Sequence, residues 1–96
     1  MGSCYRYAPK LDANQRQIVD ALRAAGVTVQ LLSRVGGGCP DLLCGAGGVS
    51  YLLEVKRPGQ KPRPEQIEWA ARWRGVAVQV VTNEREALDA CGKKLQ

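Results

Sequence analysis

The stretch V-S-Y-L-L-E-V-K, residues 49 to 56, is mostly apolar and ends in an acid and a base. It predicts a largely buried β-strand. Because side chains two positions apart on a strand point to the same face, Glu54 and Lys56 are expected to lie side by side at the end of that strand. A buried charge pair is costly, so the pair is a candidate for function.

A second strand is predicted immediately upstream, over Asp41-Leu-Leu-Cys44. Gly45-Ala-Gly-Gly48 is then the turn of a hairpin. The glycine-rich turn precedes a strand and does not open a helix, which excludes the phosphate-binding loop of a dinucleotide fold. The hairpin brings Asp41 close to Glu54 and Lys56. Two carboxylates and one ammonium at one point can hold a divalent cation and a phosphate together.

The remaining elements follow from hydrophobic periodicity, caps and breakers. We predict a helix at 12–25 capped by Asp12 with Gln15 three residues on, a strand at 27–34, a helix at 65–74, a strand at 76–82, and a helix from the Asn83 cap to about Cys91. Pro64 suits the first turn of the second helix. The order α-β-β-β-α-β-α predicts an α/β fold with a mixed central sheet flanked by helices on both sides.

The chain of 96 residues is long enough for one domain, and we assign residues 1–96 to it, with 1–10 and 93–96 irregular. Fourteen Lys and Arg against nine Asp and Glu give a net charge of +5. Many of the bases lie between 56 and 74: Lys56, Arg57, Lys61, Arg63, Arg72 and Arg74. On charge alone, binding of a polyanion such as nucleic acid and a merely solvated helix face are equally good interpretations.

The chain contains no histidine, which excludes Ser-His and Cys-His nucleophilic pairs and histidine-ligated metals. Its cysteines, at 4, 39, 44 and 91, form no Cys-x-x-Cys motif and are expected to be reduced thiols. No apolar run approaches the roughly 18 residues of a membrane span, and the N-terminus lacks the apolar core of a secretory signal. We therefore expect a cytoplasmic protein without membrane partners.

The pattern Gly38-Cys-Pro-Asp41, Glu54-Val-Lys-Arg-Pro-Gly59 and Gln66 resembles the stand-alone VRR-NUC nucleases of phages and bacteria, within the PD-(D/E)XK superfamily. The resemblance covers 11–81 and implies a restriction-endonuclease-like αβββαβ core. It implies that Asp41, Glu54 and the Val55 backbone carbonyl bind Mg²⁺ or Mn²⁺. It also implies that Lys56 positions the attacking water and that Gln66 points toward the metal.

The same resemblance implies hydrolysis of DNA phosphodiester bonds, leaving 5′-phosphate and 3′-hydroxyl ends. For short free-standing members it suggests a homodimer acting on branched DNA such as Holliday junctions, in a bacterial cell or a phage-infected host. The chain departs from the superfamily at the first helix, where Asn14, Gln15 and Gln17 stand in place of an additional Glu. A neutral amide would hold a second cation more weakly, so one or two metals per site remain possible.

Outside the site, the basic loop leaves the Glu54 strand directly, which favours contacts of its side chains with the DNA backbone. The residues assigned to DNA binding are Arg57, Lys61, Arg63 and Arg72, and the alternative for each is solubility. Trp69 and Trp73, one helical turn apart, are interpreted as structural anchors.

Three alternatives to a junction nuclease stay open. The first is a nucleic-acid-binding module that does not cleave, which the missing carboxylate of the first helix supports. The second is a monomeric nuclease acting on flaps or linear duplexes. The third is a basic scaffold or ribosome-associated protein, which leaves the placement of Asp41 and Glu54 unexplained.

Overall fold

A computed structural model describes residues 12–93 of the chain. The elements are α1 (Ala13–Ala24), β1 (Thr28–Leu31), β2 (Leu42–Ala46), β3 (Val49–Val55), α2 (Pro64–Arg72), β4 (Val78–Val81) and α3 (Glu84–Ala90). The predicted α-β-β-β-α-β-α order is confirmed. The predictions for 1–10 and 94–96 lie outside the described residues, as does Cys4. Within 12–93, no helix is both long and apolar enough to cross a membrane.

The strands form one four-stranded mixed sheet in the order β1-β2-β3-β4. β1 pairs with β2, and β2 with β3, in antiparallel fashion, whereas β3 and β4 are parallel. The hairpin turn is shorter than predicted, because Gly45 and Ala46 pair with Ser50 and Val49 and belong to β2. Gly47 and Gly48 alone make the turn, with φ of +59° and +79°. A two-residue hairpin with positive φ at both positions favours glycine.

The hydrophobic core lies between one face of the sheet and the helices α1 and α3. Its fully buried side chains include Ile18 and Leu22 of α1, Leu42 of β2 and Leu53 of β3. The opposite face of the sheet carries Glu54, and α2 lies over part of it. The predicted sheet with helices on both faces is therefore confirmed.

Both terminal helices begin where the sequence places their caps. The Asp12 side chain accepts the Gln15 N–H at 2.7 Å, and the Asn83 side chain accepts the Glu86 N–H at 2.8 Å. Each cap satisfies a backbone donor that has no partner inside the helix.

Several predicted elements are longer than the observed ones. The strand predicted at 27–34 covers only Thr28–Leu31, and the strand predicted at 76–82 covers only Val78–Val81. The helix predicted to end at Arg74 ends at Arg72, because Trp73 has the extended backbone angles φ −72° and ψ 127°. In both strands the apolar residues continue beyond the segment that pairs. Pairing depends on the neighbouring strands, which the periodicity of one segment does not describe.

Gly38 lies where the loop between β1 and β2 passes beneath the first turn of α2. It is buried and has φ +87°. A Cβ at this position would collide with the backbone carbonyl of Glu65. The loop can approach α2 this closely only because residue 38 has no side chain, and this contact fixes the end of α2 that carries Gln66.

We expect Gly38→Ala to lower the free energy of unfolding by about 1–3 kcal/mol more than Gly37→Ala. Both residues have positive φ, +87° and +67°, so both variants bear the backbone cost of about 1–2 kcal/mol. A Cβ on Gly37 meets nothing within 4 Å. Urea denaturation of both variants measures the difference, and equal losses of stability would contradict the steric role of Gly38.

Candidate active site

Three charged side chains meet where β2 begins and β3 ends. Asp41 precedes β2, and its Oδ2 accepts the Val55 N–H at 2.8 Å. Glu54 and Lys56 are only 4% and 6% exposed, and the Lys56 Nζ lies 3.3 Å from the Glu54 Oε2. The geometry expected from strand periodicity and the hairpin is therefore present, and Asp41 is tied to the backbone of the strand that carries Glu54.

The electrostatics of this cluster are dominated by Glu54. Its burial, and then the neighbouring charge of Asp41, raise the pKa of Glu54 to about 7, although Lys56 acts in the opposite direction. Desolvation and a like charge both disfavour the ionised carboxylate. The attraction of Lys56 offsets only part of this cost. The ionised form of Glu54 is therefore only partly stabilised by the ammonium beside it.

Gln66, in the first turn of α2, contacts Glu54 directly. Its Nε2 donates to the Glu54 Oε2 at 2.9 Å, and its Oε1 accepts the Arg63 N–H at 2.8 Å. Both ends of the amide are engaged, which fixes the orientation of Gln66 and, through it, that of the Glu54 carboxylate. The side chain predicted to point toward the site does so by binding an acid.

The amide side chains of Asn14 and Gln15, both in α1, also make contacts in this region. The sequence analysis assigned no contact to Asn14. The Asn14 Nδ2 donates to the Thr82 carbonyl at 3.2 Å and to the Lys56 carbonyl at 3.5 Å, so it joins the ends of β3 and β4. The side chain of Gln15 is buried, and its Nε2 donates to the Ser33 Oγ at 3.4 Å. Gln15 therefore partners Asp12 through its backbone only. The sequence signal for these two contacts was the position of both amides beside the apolar stripe of the helix.

Comparison with solved structures identifies the fold. A structure described as a VRR_NUC domain is 34% identical, superimposes with a TM-score of 0.65, and is matched over 78% of this chain and 86% of that one. The chain belongs to the VRR-NUC family. No protein-family model and no curated protein matches the sequence. As a VRR-NUC domain, it is a nuclease-type, DNA-binding domain of the restriction-endonuclease-like α/β class.

The basic side chains assigned to DNA are all exposed in this VRR-NUC domain: Arg57, Lys61, Arg63 and Arg72. Two of them pair with acids on the surface, Arg63 with Glu65 at 3.3 Å and Arg72 with Glu68 at 3.4 Å. Exposed ion pairs of this kind stabilise little, so these cations remain available to a polyanion. The first three belong to the loop that leaves β3, next to the acidic cluster.

The donor set fits a hard divalent cation such as Mg²⁺ or Mn²⁺. Mg²⁺ typically takes only one or two carboxylates from protein and keeps several waters. Residues 12–93 contain no cluster of three or more His, Cys, Asp or Glu side chains suited to a metal. Asp41 and Glu54 are the two carboxylates at this point that could contribute to such a site.

Cys39 lies beside the same acids. Burial, followed by the charges of Glu54 and Asp41, raises the pKa of the Cys39 thiol. The Cys39 thiol therefore remains protonated near neutral pH.

Because a cation must displace the proton from Glu54, we expect the affinity for Mn²⁺ to depend on pH. The pKa of Glu54 is about 7, so affinity should be nearly constant above that pH and fall by up to about tenfold per pH unit below it. Isothermal titration calorimetry between pH 5.5 and about 8.5 measures this slope, with Asp89→Asn, an exposed acid of α3, as a control. Affinity unchanged across this range would contradict the assignment.

Proposed function

We propose that this VRR-NUC chain is a structure-specific endodeoxyribonuclease that depends on Mg²⁺ or Mn²⁺ and cleaves branched DNA such as Holliday junctions. The observation that carries the proposal is the convergence of Asp41, Glu54, Lys56 and Gln66 on one buried point. Polar groups buried at such cost, with a shifted pKa, cluster at functional sites. A structural salt bridge between Glu54 and Lys56 would not require Asp41 as a like-charged neighbour.

In the proposed mechanism, Asp41, Glu54 and the Val55 backbone carbonyl hold the cation. When bound, the cation neutralises charge on the phosphate oxygens and favours deprotonation of water. Asp41 uses Oδ2 to accept the Val55 N–H, so Oδ1 is its more available oxygen. Gln66 occupies the Glu54 Oε2 and so orients the carboxylate.

Lys56 acts beside this pair as a donor. Its Nζ, 3.3 Å from the Glu54 Oε2, can hold the attacking water or the scissile phosphate as a compact positive charge. The backbone of Lys56 is held by its N–H, which donates to the Val81 carbonyl at 3.0 Å, and the Asn14 amide approaches the Lys56 carbonyl at 3.5 Å.

The exposed cations of the basic loop support a phosphate-binding role for Arg57, Lys61 and Arg63. Arg72 of α2 adds a further exposed positive charge. Contacts to phosphates position a protein on DNA without reading its sequence. Nothing among residues 12–93 resembles a base-reading helix of a sequence-specific binder. In this proposal the protein therefore distinguishes its substrates by the structure of the DNA and not by its base sequence.

A homodimer is part of the proposal, because cleavage of opposed strands at a four-way junction requires two active sites. The apolar side chains of Ile67 in α2 and Val80 in β4 are 57% and 49% exposed, so a second copy of the chain has apolar surface to cover. Light scattering of the purified chain tests the dimer directly.

Incubation with labelled four-way junction, flap and linear duplex, in Mg²⁺, Mn²⁺ or EDTA, tests the function. The proposal expects metal-dependent cleavage of the junction in preference to the linear duplex. DNA binding without product in either metal would instead indicate the non-cleaving module, which the neutral amides of α1 favour. Cleavage of flaps or linear duplexes by a monomer would indicate the second alternative.

We expect Asp41→Asn, Glu54→Gln and Lys56→Ala each to lower the rate of cleavage by about 100-fold or more, because each removes charge from the reacting centre. Single-turnover cleavage in Mn²⁺ measures the loss, and thermal unfolding with DNA-binding titrations shows whether fold and affinity are retained. The exposed Asp89→Asn is the matched control. Undiminished cleavage by any of the three variants would defeat the assignment.

We expect Arg57→Ala and Lys61→Ala each to weaken DNA binding irrespective of sequence and to reduce the slope of log K against log salt by about 1. Arg85→Ala, which removes an exposed charge from α3 on the other side of the sheet, should leave the slope unchanged. Fluorescence anisotropy at several salt concentrations measures the slopes. Equal slopes for all three variants would indicate that the loop charges serve solubility.

A further inference from the structure

The second helix carries a pair of stacked tryptophans at its C-terminal end. The rings of Trp69 and Trp73 have centroids 4.8 Å apart and an interplanar angle of 13°. Trp73 is 48% exposed, and no residue of α2 is fully buried. The structural role predicted for both tryptophans therefore accounts for only part of Trp73, whose ring keeps a large apolar surface in contact with solvent.

The Trp73 ring is held in place from two directions. Trp69 stacks against it, and Gly75 lies so close that a Cβ there would come within 2.7 Å of the Trp73 Nε1. The absence of a side chain at residue 75 lets the chain pass against the indole. An aromatic ring fixed in this way loses little conformational entropy when a ligand stacks on it.

The aromatic pair lies on the same helix as a residue of the active site. Gln66 and Ala70 stand at positions i and i+4 of α2 and share one face, and Trp73, at i+7, is the residue that follows the end of the helix. At 1.5 Å per residue, Trp73 lies about 10 Å along the helix axis from Gln66, which binds Glu54. A DNA strand advances about 3.4 Å per nucleotide in a duplex, so this distance corresponds to about three nucleotides.

The charges around Trp73 favour a nucleic acid over a second copy of the chain. Arg72 and Arg74 flank it and are exposed, and Arg72 pairs with the solvated Glu68 at 3.4 Å. In a two-fold interface through this ring, the same arginines of both copies would face one another, and opposed like charges are unfavourable. A phosphate backbone complements them.

We propose that Trp73, supported by Trp69 and flanked by Arg72 and Arg74, binds an unpaired nucleobase within about three nucleotides of the scissile phosphate. This inference rests on the proposed nuclease function and narrows its substrate. Bases inside a duplex have both faces covered by their neighbours, whereas an unpaired base offers a free face for stacking. The platform therefore selects DNA with a bulge, a flap base or an opened branch point over continuous duplex.

The test uses the unaltered chain in EDTA, so that binding is observed without cleavage. The probes are a duplex with a single unpaired 2-aminopurine, the same duplex with the analogue paired, and one with an abasic bulge. The variants are Trp73→Ala, Trp73→Tyr and Val49→Ala, the last being an exposed apolar residue at the opposite end of β3 from the candidate site. Fluorescence titration gives affinity and quenching, and light scattering gives the oligomeric mass.

We expect the unpaired probe to be quenched on binding and to bind about tenfold or more weakly to Trp73→Ala. Trp73→Tyr should restore most of the affinity, and Val49→Ala should behave as the unaltered chain does. The unaltered chain should bind the abasic bulge about tenfold or more weakly than it binds the base-containing bulge. This last comparison needs no variant, so it holds even if Trp73→Ala does not fold.

Equal affinity for unpaired, paired and abasic probes, without quenching, would overturn the stacking proposal and leave the nuclease proposal standing. A change in oligomeric mass in Trp73→Ala, with unaltered quenching, would overturn it in favour of a second copy of the chain on the ring. Failure to bind any probe, in EDTA and in Mn²⁺ alike, would instead overturn the proposed nuclease function, on which the stacking proposal rests.

Discussion

The burial of Glu54 beside Asp41 is the constraint on which the rest of this structure depends. A carboxylate 4% exposed next to a like charge raises the free energy of the ionised state, and each neighbouring polar group answers that cost in part. Lys56 supplies an opposite charge, Gln66 donates a hydrogen bond, and the Val55 N–H binds Asp41. A hydrophobic residue at position 54 would need none of these partners, which is why the cluster indicates selection for function over stability.

The two faces of the sheet differ in what they carry: one packs the apolar core, and the other carries the candidate site. Ile18, Leu22, Leu42 and Leu53 form an apolar core between the sheet and α1 and α3, whereas the face toward α2 holds the acids. The core offsets the cost of the polar face, because burial of each large aliphatic side chain contributes about 1.5–3 kcal/mol. The matched structure establishes that the chain belongs to the VRR-NUC family, which accounts for its fold. The residues of the candidate site account for the proposed chemistry.

The sequence predicted those parts of the site that depend on local geometry. Glu54 and Lys56 share a face because a strand has a period of two, and a short hairpin necessarily returns Asp41 to their neighbourhood. It did not predict contacts that close over long stretches of chain. Asn14 binds carbonyls 42 and 68 residues away, and Gly38 fits beneath a helix that begins 26 residues later, at Pro64. No periodicity within one element encodes such distances.

The ends of elements were predicted least well, for a related reason. Arg74 lies in a good helical pattern, yet the helix ends at Arg72 and Trp73 turns extended while its ring stacks on Trp69. Gln15 likewise fits a capping-box pattern, but its side chain binds Ser33. At Gln15 a tertiary contact overrides a weak local preference, whereas at Trp73 the competing contact is local, with a ring four residues back.

The parallel pairing of β3 with β4 has a consequence for how the site is assembled during folding. Asp41 and Glu54 lie on strands joined by a two-residue turn, so their approach closes only a short loop. Gln66 arrives on the crossover that must be completed before β4 can pair, and long-range pairings of this type form slowly. The acids are thus expected to meet early in a nascent hairpin still open to water, and to lose their hydration only when the crossover docks.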